Sequence, residues 1–139
     1  MAIIAENSQD KMLNILLVSS LDNLIALADS LMEEGSVNLL AVSTIKEAEV
    51  LLNGQAIDMA LIDEEMTDGS GLSFVQQIAR KHPFVNTGLV SSLDPKVFHD
   101  VTEGLGVFFQ IPPRPGRETA AEILRTYRAI AALFTQVGA

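Results

Sequence analysis

The stretch Leu61-Ile62-Asp63-Glu64-Glu65-Met66-Thr67-Asp68-Gly69-Ser70-Gly71-Leu72 decides how the chain is read. Met59-Ala60-Leu61-Ile62 is an apolar run of strand length, and Asp63 stands at its end. An acidic, glycine-containing loop follows. Leu72, Val75, Ile78 and Ala79 then recur at helical spacing. His82-Pro83 closes that helix, because a proline pushes the residue before it out of the helical region. Strand, loop and helix in this order make one βα unit.

The same unit repeats on both sides. Upstream, the run Leu13 to Val18 precedes a helix expected to start near Asp22 as N-cap, with Leu24, Leu27, Ala28 and Leu31 on one face, ending at Glu33-Glu34-Gly35. Val37 to Val42 precedes a helix opened by a capping box, Thr44 with Glu47, and carrying Ala48, Leu51 and Leu52. Downstream, Gly88-Leu89-Val90 leads to Asp94-Pro95, an N-cap followed by proline at the first helical position, and to a stripe of Phe98, Val101 and Leu105. Val107 to Ile111 is the fifth run. Pro112-Pro113-Arg114-Pro115-Gly116 breaks the chain before a last helix with Ile123, Leu124, Tyr127, Ile130, Ala131 and Phe134 on its apolar face. Five such pairs predict an α/β fold, a doubly wound and mostly parallel five-stranded sheet. A closed eight-fold barrel would need about 250 residues. In open sheets the working site lies beyond the carboxyl ends of the strands. That singles out Ser19, Ser20, Asp63, Ser91, Ser92, Ile111 and Pro112.

Composition narrows the function. The 139 residues fit one domain, read as an extension over 1–12 and a core over 13–136, and 48% hydrophobic content is enough for a core. A net charge of −9 argues against a nucleic-acid or anionic-membrane surface, both of which need basic patches. The chain has no cysteine, so thiol catalysis, disulfides and thiolate metal sites are excluded, and a reducing, cytoplasmic setting is expected. The first twelve residues lack the pattern of a signal peptide, and the longest apolar runs are too short to span a membrane.

The segment Asp63-Glu64-Glu65-Met66 with its Asp-Gly turn resembles the third strand and following loop of response-regulator receiver domains. The resemblance extends from about Leu13 to Phe134, since all five units fall at the family's spacing. It implies a flavodoxin/CheY-like three-layer sandwich with strand order 2-1-3-4-5. It also implies a place in a two-component or phosphorelay pathway rather than an enzyme activity. In the family an aspartate accepts a phosphoryl group from a histidine kinase. Mg²⁺ is held by that aspartate and by an acidic pair after the first strand. A lysine after the fifth strand and a hydroxyl after the fourth meet the phosphoryl oxygens, as positioning plus charge stabilisation requires. Carried onto this sequence, the acceptor is Asp63, the hydroxyl is Ser91 and the switch aromatic is Phe108. The departures are Ser19-Ser20 for the acidic pair, Ile111 for the lysine, and Thr67 for the proline after Met66. Pro112 is retained, and the family implies a cis bond before it. Asp63 and Glu65 remain as ligand candidates for a weak Mg²⁺ site, with Asp22 and Glu64 as further partial substitutes.

An atypical receiver with weakened or absent phosphorylation is therefore expected, working as a protein–protein interaction module. Its partners would be a histidine kinase or another signalling protein, including a second copy of itself through the fourth helix, fifth strand and fifth helix. That face, from Pro95 to Gln136, carries Val97, Phe98, Phe109, Tyr127 and Ile130 with Arg114, Arg117, Arg125 and Arg128. The rival is a flavodoxin-like binder of FMN or a small anion, through Ser19 and Ser20. The loop after them has no glycine, and Asp22 sits where an anion would bind. A calcium loop counted from Asp63 fails, since its sixth and twelfth positions are Asp68 and Phe74 rather than glycine and glutamate. His82 and His99 have no partner at metal-ligand spacing, and no nucleophile-elbow motif supports a hydrolase.

Overall fold

The computed structural model describes residues 12–20 and 22–138, with side chains through residue 133. The expected extension up to Lys11, and the Phe134 side chain, lie outside the described residues. Strands β1 (Leu13–Val18), β2 (Val37–Val42), β3 (Met59–Ile62), β4 (Asn86–Val90) and β5 (Val107–Ile111) form one sheet in the order β2-β1-β3-β4-β5. Every neighbouring pair is parallel. Between and after them come helices α1 (Ile25–Glu33), α2 (Ile45–Gly54), α3 (Gly71–Lys81), α4 (Pro95–Thr102) and α5 (Arg117–Gly138).

Strand alternation sorts the core into two layers. Ile15 and Leu17 of β1 and Met59 and Leu61 of β3 pack with Leu27 and Leu31 of α1 and Ile123 and Leu124 of α5. Leu16, Val18, Ala60 and Ile62 pack on the opposite face with Ala48 and Leu52 of α2, Phe74 and Ile78 of α3, and Phe98 of α4. Strand β3 is therefore apolar at every position and β1 from Ile15 to Val18, as a parallel sheet covered on two faces requires. Each fully buried aliphatic side chain contributes about 1.5–3 kcal/mol. Val101, expected in the α4 stripe, is 43% exposed instead.

The helix signals act locally as read, with one exception. Thr44 Oγ1 accepts from the Glu47 N–H at 3.0 Å, and Glu47 reaches back to the Ser43 N–H at 3.2 Å. The Ser43 N–H first, then the Thr44 and Ser43 hydroxyls that donate to the same carboxyl, hold Glu47 below its ordinary value. Asp94 accepts from the Lys96 N–H at 3.1 Å with Pro95 in the first turn. Gly35, at φ 88°, supplies the left-handed residue that ends α1. Asp22 is the exception: Asp22–Leu24 form a 3₁₀ turn, and α1 begins at Ile25 without a side-chain cap.

The expected cis bond before Pro112 is corrected: no described peptide bond is cis. Trans is favoured by about 0.5–1 kcal/mol unless a tertiary contact reverses it. The Ile111 side chain is fully buried among Leu17, Val90 and Ile123, and Pro112 itself is exposed.

Candidate functional site

Asp63 follows β3 at the carboxyl edge of the sheet, and its N–H donates to the Val18 carbonyl at 2.9 Å. Its side chain is 3% exposed. A buried carboxylate is tolerated only when donors satisfy its oxygens. Here the Ser19 hydroxyl donates to Oδ2 at 2.7 Å and the Asn23 amide to the same oxygen at 3.2 Å. The Glu64 N–H donates to Oδ1 at 2.8 Å. Three neutral groups from three segments thus converge on one carboxylate. Asn23 was not singled out by the sequence. It lies in the 3₁₀ turn, where its amide serves Asp63 rather than capping α1.

Of the two serines after β1, Ser19 is the one that meets Asp63. Ser20 turns away, donating to the Ser43 carbonyl at 2.8 Å and accepting from the Thr67 N–H at 3.0 Å. It ties the β1 loop to the loop after β3. That second loop is a small antiparallel hairpin, Glu65–Met66 with Gly69–Ser70. At its tip Asp68 accepts from the Ile45 N–H at 3.0 Å and the Lys46 N–H at 3.2 Å, the first amides of α2. These backbone donors, Ile45 first, hold Asp68 below the ordinary carboxylate value, as an anion at a helix N-terminus is. Thr67 and Asp68 therefore fix the hairpin to two neighbouring segments.

Gly71 fixes Asp63 from below. Its N–H donates to the Glu64 carbonyl at 2.9 Å, and a Cβ there would stand 2.1 Å from the Asp63 carbonyl oxygen. Only glycine permits this approach.

The remaining candidates are spread along the same edge. Ser91, buried at 4% exposure, accepts from the Leu93 N–H at 3.1 Å. Glu64 reaches across the edge to the Ser92 N–H at 3.4 Å. Glu65 is exposed in the hairpin. Among the described residues no three His, Cys, Asp or Glu side chains gather into a group that could hold a metal ion. Ile111, the residue the resemblance sets in place of the family's lysine, fills the core.

Phe108, the expected switch aromatic, sits at an irregularity in β5. Thr87 pairs with Val107 and Gly88 with Phe109, so Phe108 is the extra residue of a β-bulge. Its ring packs edge-on to Tyr127 of α5 at 6.2 Å and against Phe109 at 6.1 Å. Burial, and Asp58 after it, push the Tyr127 hydroxyl above its ordinary value. On the α4 side of β5 stands Gln110, whose amide donates to the carbonyls of Leu93 at 2.8 Å and Ser91 at 3.3 Å. Gln110 was also missed by the sequence reading.

No family model and no curated protein matches this chain. Solved structures do. The signal receiver domain of an HD domain-containing protein from Pseudomonas fluorescens superposes with TM-score 0.75 at 15% identity, covering 91% of this chain and 93% of its own. Chemotaxis response regulator CheY4 of Vibrio cholerae gives TM-score 0.73 at 14% identity, over 84% of this chain and 99% of that one. The non-phosphorylated HemR receiver domain from Leptospira biflexa gives 0.68 at 23% identity, over 83% and 94%. The chain therefore has the fold of CheY-like response-regulator receiver domains.

Proposed function

We propose that this chain is an atypical receiver domain of a two-component or phosphorelay system, working as a protein-interaction module without a competent phosphorylation site. The observation that carries this reading is the set of bonds on Asp63. Its carboxylate is satisfied by Ser19, Asn23 and the Glu64 N–H, which are hydrogen-bond donors without charge. Mg²⁺ needs a near-octahedral set of oxygen ligands. Donors aimed at Asp63 compete with a cation for the same lone pairs. The donor set does not fit the family's metal. Ile111 supplies no charge to offset two anions meeting.

The loop after β4 is held by groups that do not depend on Asp63's modification. Gln110 grips two carbonyls and Ser91 is engaged with the Leu93 N–H. A ligand shifts a two-state element only by its differential affinity for the two states. The face formed by α4, β5 and α5 then has one state for a signalling partner or a second copy. Arg114, Arg117, Arg125 and Arg128 are exposed along it, and Val97 is 45% exposed.

The flavodoxin-like alternative draws no support from the serines. The Ser19 hydroxyl donates to a carboxylate and the Ser20 hydroxyl to a carbonyl. Amide spectra with and without beryllofluoride and Mg²⁺ test the proposal. Unchanged spectra are expected. Shifts spreading from Asp63 through Ser91 to β5 would restore Asp63 as a switch.

A further inference from the structure

Strand β2 is an undefended sheet edge. Among the described residues it pairs with β1 alone. The Leu13 N–H donates to the Ser36 carbonyl at 2.9 Å and the Ser19 N–H to the Val42 carbonyl at 3.1 Å. In a parallel ladder alternate residues turn their backbone groups to alternate sides. Ser36, Asn38, Leu40 and Val42 therefore face β1, and Val37, Leu39 and Ala41 present N–H and C=O groups outward. Such edges are usually blunted by charge, proline or a bulge. Val37-Asn38-Leu39-Leu40-Ala41-Val42 has no charge and no proline, and its register with β1 is unbroken. The opposite edge strand, β5, carries a bulge and runs into Pro112-Pro113.

Beside this edge a groove of about 330 Å³ lies between α1 and β2. Leu17, Leu24, Ala28 and Ala41 line it, and Ile25, 53% exposed, stands on its rim. Ala28 and Ala41 are too small to fill the space between helix and strand. The side chains of Val37, Leu39 and Ala41 alternate toward α1, so a strand added alongside would set alternate side chains over the same groove. The surroundings are acidic. Asp22, Asp29, Glu33 and Glu34 are exposed on and around α1, and Glu47 lines the groove. Lys46 is the one basic residue between positions 12 and 55.

We propose that the β2 edge and the α1–β2 groove bind an extended, basic segment of a partner protein, which adds to the sheet as a sixth strand. Main-chain bonds to Val37, Leu39 and Ala41 hold it, apolar side chains enter the groove, and lysine or arginine residues meet the acidic rim. This is the physics of strand addition to an exposed edge. A second copy is the poorer occupant, because it brings the same acids to the contact. The inference stands apart from the reading of Asp63, and its failure would leave that reading untouched.

The probe is a blocked, fluorescein-labelled peptide, Lys-Val-Arg-Val-Lys-Val-Arg, titrated by anisotropy with amide spectra recorded in parallel. Saturable binding is expected, with shifts centred on Val37, Leu39 and Ala41, and weakening about tenfold as salt rises through the Debye range. N-methylation of alternate peptide nitrogens should abolish it. Ala41→Pro removes an outward N–H and Ala41→Arg places a cation in the groove. Each should cost about tenfold or more in affinity in a variant whose melting curve shows it folded. Two variants are used so that misfolding of one leaves the other to decide. Equal binding of the peptide with glutamate for lysine and arginine, or shifts confined to another face, would overturn the proposal. So would a dimer in sedimentation that Ala41→Arg dissolves, since the occupant would then be a second copy.

Discussion

Replacing Ser19 by alanine removes one of the three donors on Asp63 and leaves the fold's packing intact. The bond is 2.7 Å long and its acceptor is 3% exposed. Hydrogen bonds to charged groups contribute about 1.5–3 kcal/mol. Ser19 is itself only half-buried, so water can replace part of the lost bond. The loss should therefore be about 1.5–2 kcal/mol, the lower part of that range. For a domain of this size that lowers the melting temperature by about 5–8 °C. Chemical denaturation of the wild type, Ser19→Ala, Asp63→Asn and the double variant isolates the pair. A neutral acceptor halves the bond's worth, so Ser19→Ala in the Asp63→Asn background should cost only about 1 kcal/mol or less. A Ser19→Ala variant within about 0.5 kcal/mol of wild type, with no coupling to Asp63, would refute the claim that the serine holds the carboxylate.

Gly71→Ala puts a Cβ 2.1 Å from the Asp63 carbonyl oxygen and 2.9 Å from Leu89 Cδ1. It should cost about 3 kcal/mol or more, read by thermal melting. Gln110→Leu releases the carbonyls of Ser91 and Leu93. Amide hydrogen exchange over residues 91–93 should rise while that of β1 stays unchanged. Glu47 and Asp68 are both held below their ordinary values of 4.5 and 3.8. A carboxylate with a lower value in the folded state lends stability above its unfolded value and loses it as pH falls through the folded one. Denaturation midpoints should thus be flat from neutral pH to about 5 and fall below it, with a shallower fall in a Glu47→Gln, Asp68→Asn variant.

The fold was legible because its signals are local and periodic. Leu61-Ile62 and Leu16-Leu17 are apolar at every position, as strands covered on both faces are. Thr44 with Glu47 and Asp94 with Pro95 mark helix starts through bonds only a few residues long. The places of Asp63 and Ser91 were legible, since each directly follows a strand at the same sheet edge. What escaped depends on single-residue phase. Whether Ser19 or Ser20 meets Asp63 is set by how the chain leaves β1, and two adjacent serines carry no sign of it. Asn23 enters the site because a 3₁₀ turn replaces the expected cap at Asp22. The bulge at Phe108 is silent for a related reason: one extra residue in a strand leaves the apolar run Val107-Phe108-Phe109 looking regular. The Ile111–Pro112 bond follows the ordinary trans preference once no lysine is held at the site.

The most direct test is the intact mass of the protein, followed by peptide mapping, after incubation with acetyl phosphate and Mg²⁺. The account predicts an unchanged mass, because Asp63 is occupied by Ser19, Asn23 and the Glu64 N–H and forms no ion pair among the described residues. A mass increment of one phosphoryl group, mapped to Asp63 and lost in Asp63→Asn, would contradict it.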